Sequence, residues 1–391
     1  MANLTSRRLL MGPGPSLVHI RVMQAMLSPV IGHLDPEFIG ILDAIQPLLR
    51  KVFQTKNDFT IALSGTGMSG MEAAFVNLLE RGDRALICAN GFFGGRMKNI
   101  VERIGADAAV IEAPWGSAFS PMQIEAALKK FKNVKAVAIV HAETSTGVLQ
   151  RMEDIGEIVH NAGALLILDC VTSLGGAEVA VDAWGVDAAY SGTQKCLGCP
   201  PGLSPFTLSE RAMEKIRSRK TPVGSFYLDA LELEKYWSGE RRVYHHTASA
   251  PMYCALLEGL KMMHEEGLTA RWERHRLNGN AMRAGLATLG FSFLAQNDCT
   301  LPHVVTPLLP ARVNDALARR ELLQLYNTEI GGGLGDYAGK MWRIGVMGES
   351  SRKEHVIPML ASTEAVLAKN KWSNKTGAGV NAAEEYYRAN K

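Results

Sequence analysis

Three places in the sequence put reactive or anion-binding groups where a ligand could meet them. The string Ser64-Gly65-Thr66-Gly67-Met68-Ser69-Gly70 follows a short apolar run and opens the helix-like stretch MEAAFVNLLE, so its backbone N–H groups can face a phosphate. Asp169 closes the apolar run ALLILD, at the kind of strand end where a parallel sheet opens its ligand crevice. An acid buried there needs a cationic partner, although an Asp in this position also serves as a helix cap. Twenty-six residues on, Lys195 ends Ser191-Gly192-Thr193-Gln194-Lys195, flanked by Tyr190, Cys196 and Leu197 and followed by Cys199-Pro200-Pro201-Gly202. A lysine is usually a solvated surface charge, but these neighbours make a poor solvent face, and a shielded amine can condense with a carbonyl.

The first string formally matches GxGxxG. A dinucleotide reading needs an Asp or Glu at the end of the following strand, yet RALICAN ends in Asn90 and Asp83 stands before it. Pyridoxal phosphate suits all three places together: its phosphate takes the helix start, its pyridine nitrogen the acid, and its aldehyde the lysine. Gly91-Phe92-Phe93-Gly94, at the end of the next strand, offers an aromatic lid for the ring.

The elements that must position these groups alternate between short apolar runs and helix-like stretches from about Phe59 to Ser204, the pattern of a mostly parallel sheet covered on both faces. Expected strands are TIAL (60–63), RALICA (84–89), AVAIVHA (136–142), ALLILD (164–169) and DAAYSG (187–192). Ser120, Pro121 and Gln123 spell a capping-box start, so a helix is expected to about Phe131, and another from Met152 to Asn161 ending at Gly163. Beyond about Pro251 come long amphipathic segments (253–265, 272–289) and strands around FSFLA, VVTPLL and MWRIGVM, which read as a smaller α+β domain. Residues 370–380 read as a linker to a short terminal segment that either docks or wanders.

The 391 residues suggest more than one domain, and 47% hydrophobic with 21% charged residues is the balance of an ordinary globular chain. Forty-two Lys and Arg against 39 Asp and Glu leave +3, which argues against nucleic acid or an anionic membrane as the main partner. No apolar run approaches a membrane span, no signal-like stretch opens the chain, and six scattered Cys read as reduced thiols, so a cytoplasmic location is expected.

At this point the sequence resembles the class V (fold type I) aminotransferases, most closely the alanine-glyoxylate and serine-glyoxylate subgroup. The resemblance runs through LLMGPGPS, SGTG, ANGFFG, HAETSTGVLQ, LILDCVTSLGG, YSGTQKCLGCPPG, SRKTPVGSFYLD, YHHT, GGGLG and WRIGVMG. It implies an α/β fold with a mostly parallel seven-stranded sheet in a large cofactor domain (21–260), an N-terminal arm (1–20), a small C-terminal domain (261–372) and a tail (373–391). By the same resemblance Lys195 holds the cofactor, Asp169 pairs with its pyridine nitrogen, Val171 packs beneath the ring and Phe93 stacks above it. Thr144 sits beside the ring oxygen, and Thr66, Gly67, Met68 and Gln194 contact the phosphate. Some relatives carry His where this chain has Met68, so that contact would be through backbone. Gly14 and Arg343 are expected at the substrate, where the planar fork of Arg343 suits a carboxylate. Tyr244 and Thr247 are expected to reach the phosphate of a neighbouring subunit, which implies a homodimer with shared sites.

The expected activity is therefore transfer of an amino group from alanine, serine or aspartate to glyoxylate. Alternatives are a pyridoxamine-pyruvate transaminase and a cysteine desulfurase-like lyase, the latter requiring a mobile-loop Cys that Cys299 does not obviously supply. Cys196 and Cys199 form CxxC without a second ligand pair, so a metal is not expected. His245 and His246 read as structural, and a hydrogen-bonding role is favoured over acid-base work for His141 and Glu143. Gly331–Gly335 lacks a P-loop ending and reads as a mobile loop beside the substrate.

Overall fold

Seven strands, all mostly or wholly buried except at one edge, make the central sheet of the computed structural model, which describes residues 8–239 and 241–390. Residues 1–7 of the expected arm, Glu240 and Lys391 lie outside it. In chain order the strands are β1 (Phe59–Ser64), β2 (Arg84–Ala89), β3 (Asp107–Glu112), β4 (Val134–Val140), β5 (Leu165–Asp169), β6 (Ala188–Tyr190) and β7 (Leu203–Leu208). They lie in the order β1-β7-β6-β5-β4-β2-β3, parallel throughout except for β7, which runs antiparallel to both neighbours. The fold is thus the α/β architecture expected, with the ends of β1, β2, β4, β5 and β6 opening on one side.

Five strands appear where the apolar runs place them, and two do not announce themselves. β3 is an edge strand whose sequence, DAAVIE, begins and ends on exposed acids. β7, LSPFTL, is fully buried but carries Pro205, an unusual residue for an inner strand. Its pairing with β6 begins only at Phe206, so the missing N–H falls where that ladder has not yet started.

The helix Pro121–Lys130 opens on the expected capping box: Ser120 Oγ accepts from the Gln123 N–H, and Gln123 Oε1 accepts from the Ser120 N–H at 2.8 Å. The next helix starts at Ile155 rather than Met152, because Asp154 at its N-terminus has φ 65°, outside the helical region. FSFLA contributes only Ser292–Phe293, and VVTPLL splits at Thr306 into Val304–Val305 and Pro307–Leu308. Each piece pairs with a different strand.

The apolar interior falls into two main clusters. One surrounds the sheet and draws on residues from Val22 to Met263; the other joins Met11 to residues 281–387. Segment 9–17 connects them, since Leu9–Leu10 pairs with Thr328–Glu329 while the Ser16 N–H donates to Gln194 O at 2.9 Å. The chain end docks. Helix Ala378–Ala389 lies against helix Leu268–Thr288, where a Cβ on Gly285 would come 2.8 Å from Gly379 O and Tyr387 Oη donates to Asn278 Oδ1 at 2.6 Å.

Candidate active site

The strand ends of this sheet and the loops leaving them surround an open cleft of about 540 Å³. Nine residues singled out in the sequence line it: Thr66, Gly67, Met68, Phe93, Thr144, Asp169, Val171, Gln194 and Lys195. Met71, Val140, Ala142 and Thr172 complete the lining.

The anion side comes from β1 and the helix Gly67–Leu78. Thr66 is the residue before that helix, yet its side chain makes no capping bond, so its hydroxyl and the first N–H groups of the helix remain available. Gly65 has φ 138°, a conformation that favours glycine, and a Cβ on Gly67 would come 2.8 Å from Val171 Cγ2. The glycines therefore let the turn close against the residue two positions after Asp169. Gln194 lines the cleft, and its Oε1 is buried without a hydrogen-bond partner.

Asp169 ends β5 and is buried. Its Oδ1 accepts the Val171 N–H at 2.9 Å and its Oδ2 the Tyr190 hydroxyl at 3.1 Å. Burial pushes its pKa up to about 7 against those two donors. The carboxylate thus has a strong need for a cation. Lys195 follows β6 on a loop; its Nζ donates to Pro13 O, and Ser16 Oγ donates to Lys195 O at 2.9 Å. Burial, assisted by the charge of Arg343, brings its ammonium down to about 8. Gly14 lies directly over the amine: a Cβ there would come 2.5 Å from Nζ.

Phe93 is the second residue of helix Phe92–Arg103. Its N–H donates to Glu143 Oε2 at 3.1 Å, while the Phe92 N–H donates to Ser145 Oγ at 2.9 Å. Ser145 in turn donates to Glu143 Oε1 from its N–H and hydroxyl, at 2.9 and 2.7 Å. Glu143 is wholly engaged in holding this helix start. His141 is likewise occupied, with Nδ1 against Ser173 Oγ at 2.8 Å, and burial holds it neutral, down to about 3.

Arg343 lies on strand Trp342–Gly345 and is half-buried, with Nε donating to Gly332 O at 2.7 Å. It stands outside the lining of the cleft but near enough for its charge to act on Lys195. Gly331–Gly332 pairs with Trp342–Arg343, and the Gly333 N–H donates to Met341 O at 2.7 Å. Gly331–Gly332 is thus an edge strand beside Arg343, and Gly335 opens a short 3-10 turn, so the string is not one loose loop. Tyr244 is 55% exposed, its ring 4.9 Å from that of His33, and Thr247 is exposed; neither lines the cleft of its own chain. His245 and His246 bond to each other, to Phe226 O and to Ser64 Oγ.

The sequence model of the family "Aminotransferase class-V" matches residues 20–317. The (S)-ureidoglycine–glyoxylate transaminase of Bacillus subtilis is 40% identical over 98% of this chain and 96% of its own length. The alanine–glyoxylate aminotransferase of Drosophila melanogaster is 38% identical over 94% of both. The chain belongs to the class V aminotransferases. Among solved structures, the Bacillus subtilis ureidoglycine-glyoxylate aminotransferase superposes with a TM-score of 0.96 (41% identity, 99% and 100% coverage), and an alanine–glyoxylate aminotransferase from Nostoc sp. with 0.92 (47%, 94% and 97%).

Class V aminotransferases depend on pyridoxal phosphate, and the site of this one suits that group. An uncapped helix start, a buried carboxylate short of a cation and a shielded amine all face one cleft. Sequence reasoning passed over Tyr190, Ser145 and Ser16, all of which hold site residues. Tyr190 was detectable, since its hydroxyl would be an unpaired polar group inside an apolar strand; Ser16 acts across 179 residues, for which no local pattern exists.

Proposed function

We propose that the protein moves the amino group of a small amino acid onto glyoxylate, forming glycine and a 2-oxo acid. The observation that carries this reading is the meeting of Lys195, Asp169 and an uncapped helix start in one cleft, with Arg343 near the lysine. Family membership and the names of relatives that share glyoxylate support the acceptor.

When bound, pyridoxal phosphate supplies an electron sink that makes the donor's Cα–H acidic. Thr66, Gly67, Met68 and Gln194 would hold its phosphate, Asp169 its ring nitrogen, Phe93 and Val171 the two faces of its ring, and Thr144 the ring oxygen. Lys195, with its ammonium brought down to about 8, has a usable neutral fraction near neutral pH, so its Nζ can attach the cofactor and later take and return the Cα proton. Arg343, fixed through Nε, keeps its two terminal nitrogens for a substrate carboxylate. Gly14 leaves room for a substrate above the amine.

For the donor we propose alanine, serine or aspartate. The 40% identity to a ureidoglycine transaminase adds (S)-ureidoglycine to the set. Pyridoxamine as donor is supported by a 27% identical pyridoxamine-pyruvate aminotransferase from Mesorhizobium loti (TM-score 0.93) but would leave the phosphate-type features unused. A desulfurase would need a mobile thiol, and Cys299 is buried with Sγ against Gly116 O.

We also propose a homodimer in which Tyr244 and Thr247 reach the partner's cleft. Their exposure supports this, together with exposed Ile20, Leu27, Val30, Phe226 and Val243. Six free cysteines suit a reducing compartment such as the cytoplasm. The test is to follow the absorbance of the bound cofactor while adding each donor in turn, then glyoxylate. Bleaching by one donor and recovery with glyoxylate is the expected result; colour that no donor changes would overturn the proposal.

A further inference from the structure

We infer that Tyr190 is a positioning residue for the cofactor: its hydroxyl keeps the Asp169 carboxylate charged and aimed so that it can hold the pyridine nitrogen. The inference rests on the assignment of Asp169 to that nitrogen.

Parallel pairing of β5 with β6 sets Asp169 directly opposite Tyr190. Residues paired in this way project to the same face of the sheet. Tyr190 is completely buried, and its hydroxyl has Asp169 Oδ2 as its hydrogen-bond acceptor at 3.1 Å. The ring is also held from above. Gly70, on the helix whose start forms the anion side, would bring a Cβ to 2.8 Å from Tyr190 Cβ and 2.3 Å from Ser204 Oγ. Any larger residue there would displace the phenol. The backbone is tied as well, with the Cys170 N–H donating to Tyr190 O at 3.0 Å.

A carboxylate has about four acceptor positions, and protein donors fill two on Asp169, one on each oxygen. The Val171 N–H is a backbone group present whatever the side chain at 171. The Tyr190 hydroxyl is the one side-chain donor on this carboxylate among the described residues, and it opposes the burial that favours the neutral acid. A neutral Asp169 could not pair with a protonated ring nitrogen. Phenylalanine would pack the same space and lose only the donor.

The test compares wild type with Tyr190→Phe for binding of pyridoxal phosphate and of its 1-deaza analogue, which has carbon in place of the ring nitrogen, across pH 5 to 9. Tyr190→Phe should weaken binding of pyridoxal phosphate about tenfold at neutral pH and move the acid limb of the binding curve to higher pH. The deaza analogue should show no such penalty. An equal penalty for both ligands, or none for either, would overturn the role of the hydroxyl. Wild type that binds both ligands alike, without an acid limb, would overturn the Asp169 assignment itself. If Tyr190→Phe does not fold, 3-fluorotyrosine placed at 190 keeps the ring and provides a more acidic donor. The acid limb should then move to lower pH, and an unmoved limb would overturn the inference.

Discussion

Two buried carboxylates stand at neighbouring strand ends and do opposite things. Glu143, just beyond β4, accepts from the N–H and hydroxyl of Ser145 and from the Phe93 N–H, which occupy both its oxygens. Asp169, at the end of β5, accepts one bond on each oxygen and lines the cleft. Both are pushed toward the neutral acid by burial. Shifted titration therefore does not separate them; unfilled acceptor capacity facing a cavity does. Glu143 spends its charge on fixing the helix that carries Phe93, and Asp169 keeps half of its capacity for a ligand.

The largest effect should fall on the open side of this comparison. Lys195→Ala is expected to lower turnover about 10⁴-fold or more, since it removes both the attachment point and the proton carrier; steady-state assay of the purified variant checks it. Asp169→Asn should cost roughly 10³-fold in kcat by removing the cation partner. The cofactor-free form should behave in the opposite sense. A folded-state pKa raised from 3.8 to about 7 means that native Asp169 binds more protons than the unfolded chain between those values, so stability falls as pH rises through that window. Asp169→Asn should abolish that slope in urea unfolding, and a variant that kept it would place the titration elsewhere. Arg343→Ala should raise KM about 10- to 100-fold by deleting a charged bidentate contact, with a smaller change in kcat.

Glu143→Gln sharpens the contrast. The new amide would point N–H groups at N–H and O–H donors, leaving buried groups unpaired at a cost of about 2–3 kcal/mol. The expected signature is a lower unfolding midpoint at pH values where Glu143 is ionised, together with loosened binding of the cofactor. Unchanged stability with lost activity would instead make Glu143 a second ligand-facing acid.

The groups that meet in the cleft were legible because each sits at a local break in pattern: glycines opening a helix, an acid ending an apolar run, a lysine among apolar neighbours. Most strands were legible for the same reason, as continuous burial on both faces leaves long apolar runs. The remainder depends on pairings that sequence does not display. β3 is an edge strand with polar ends, β7 carries a proline, and Tyr190 meets Asp169 only through strand register. Segment 13–16 reaches Lys195 across about 180 residues, and the tail helix is recognisable only once Glu364 is placed at its start.

Glu364 supplies the smallest and cleanest check, because it is a third buried carboxylate, in the other apolar cluster. Its Oε1 accepts the N–H groups of Gly379 and Val380 at 2.6 and 3.0 Å, and its Oε2 that of Gly377 at 2.5 Å. Like Glu143 it takes three protein donors, and like an N-terminal cap it opposes the partial positive charge of helix Ala378–Ala389. If a third protein donor marks an architectural acid, Glu364→Gln should cost about 1 kcal/mol and speed amide exchange in that helix, while turnover stays unchanged. A loss of turnover without faster exchange would mean that the C-terminal helix reports to the cleft, and that counting filled acceptors does not distinguish the two kinds of carboxylate in this molecule.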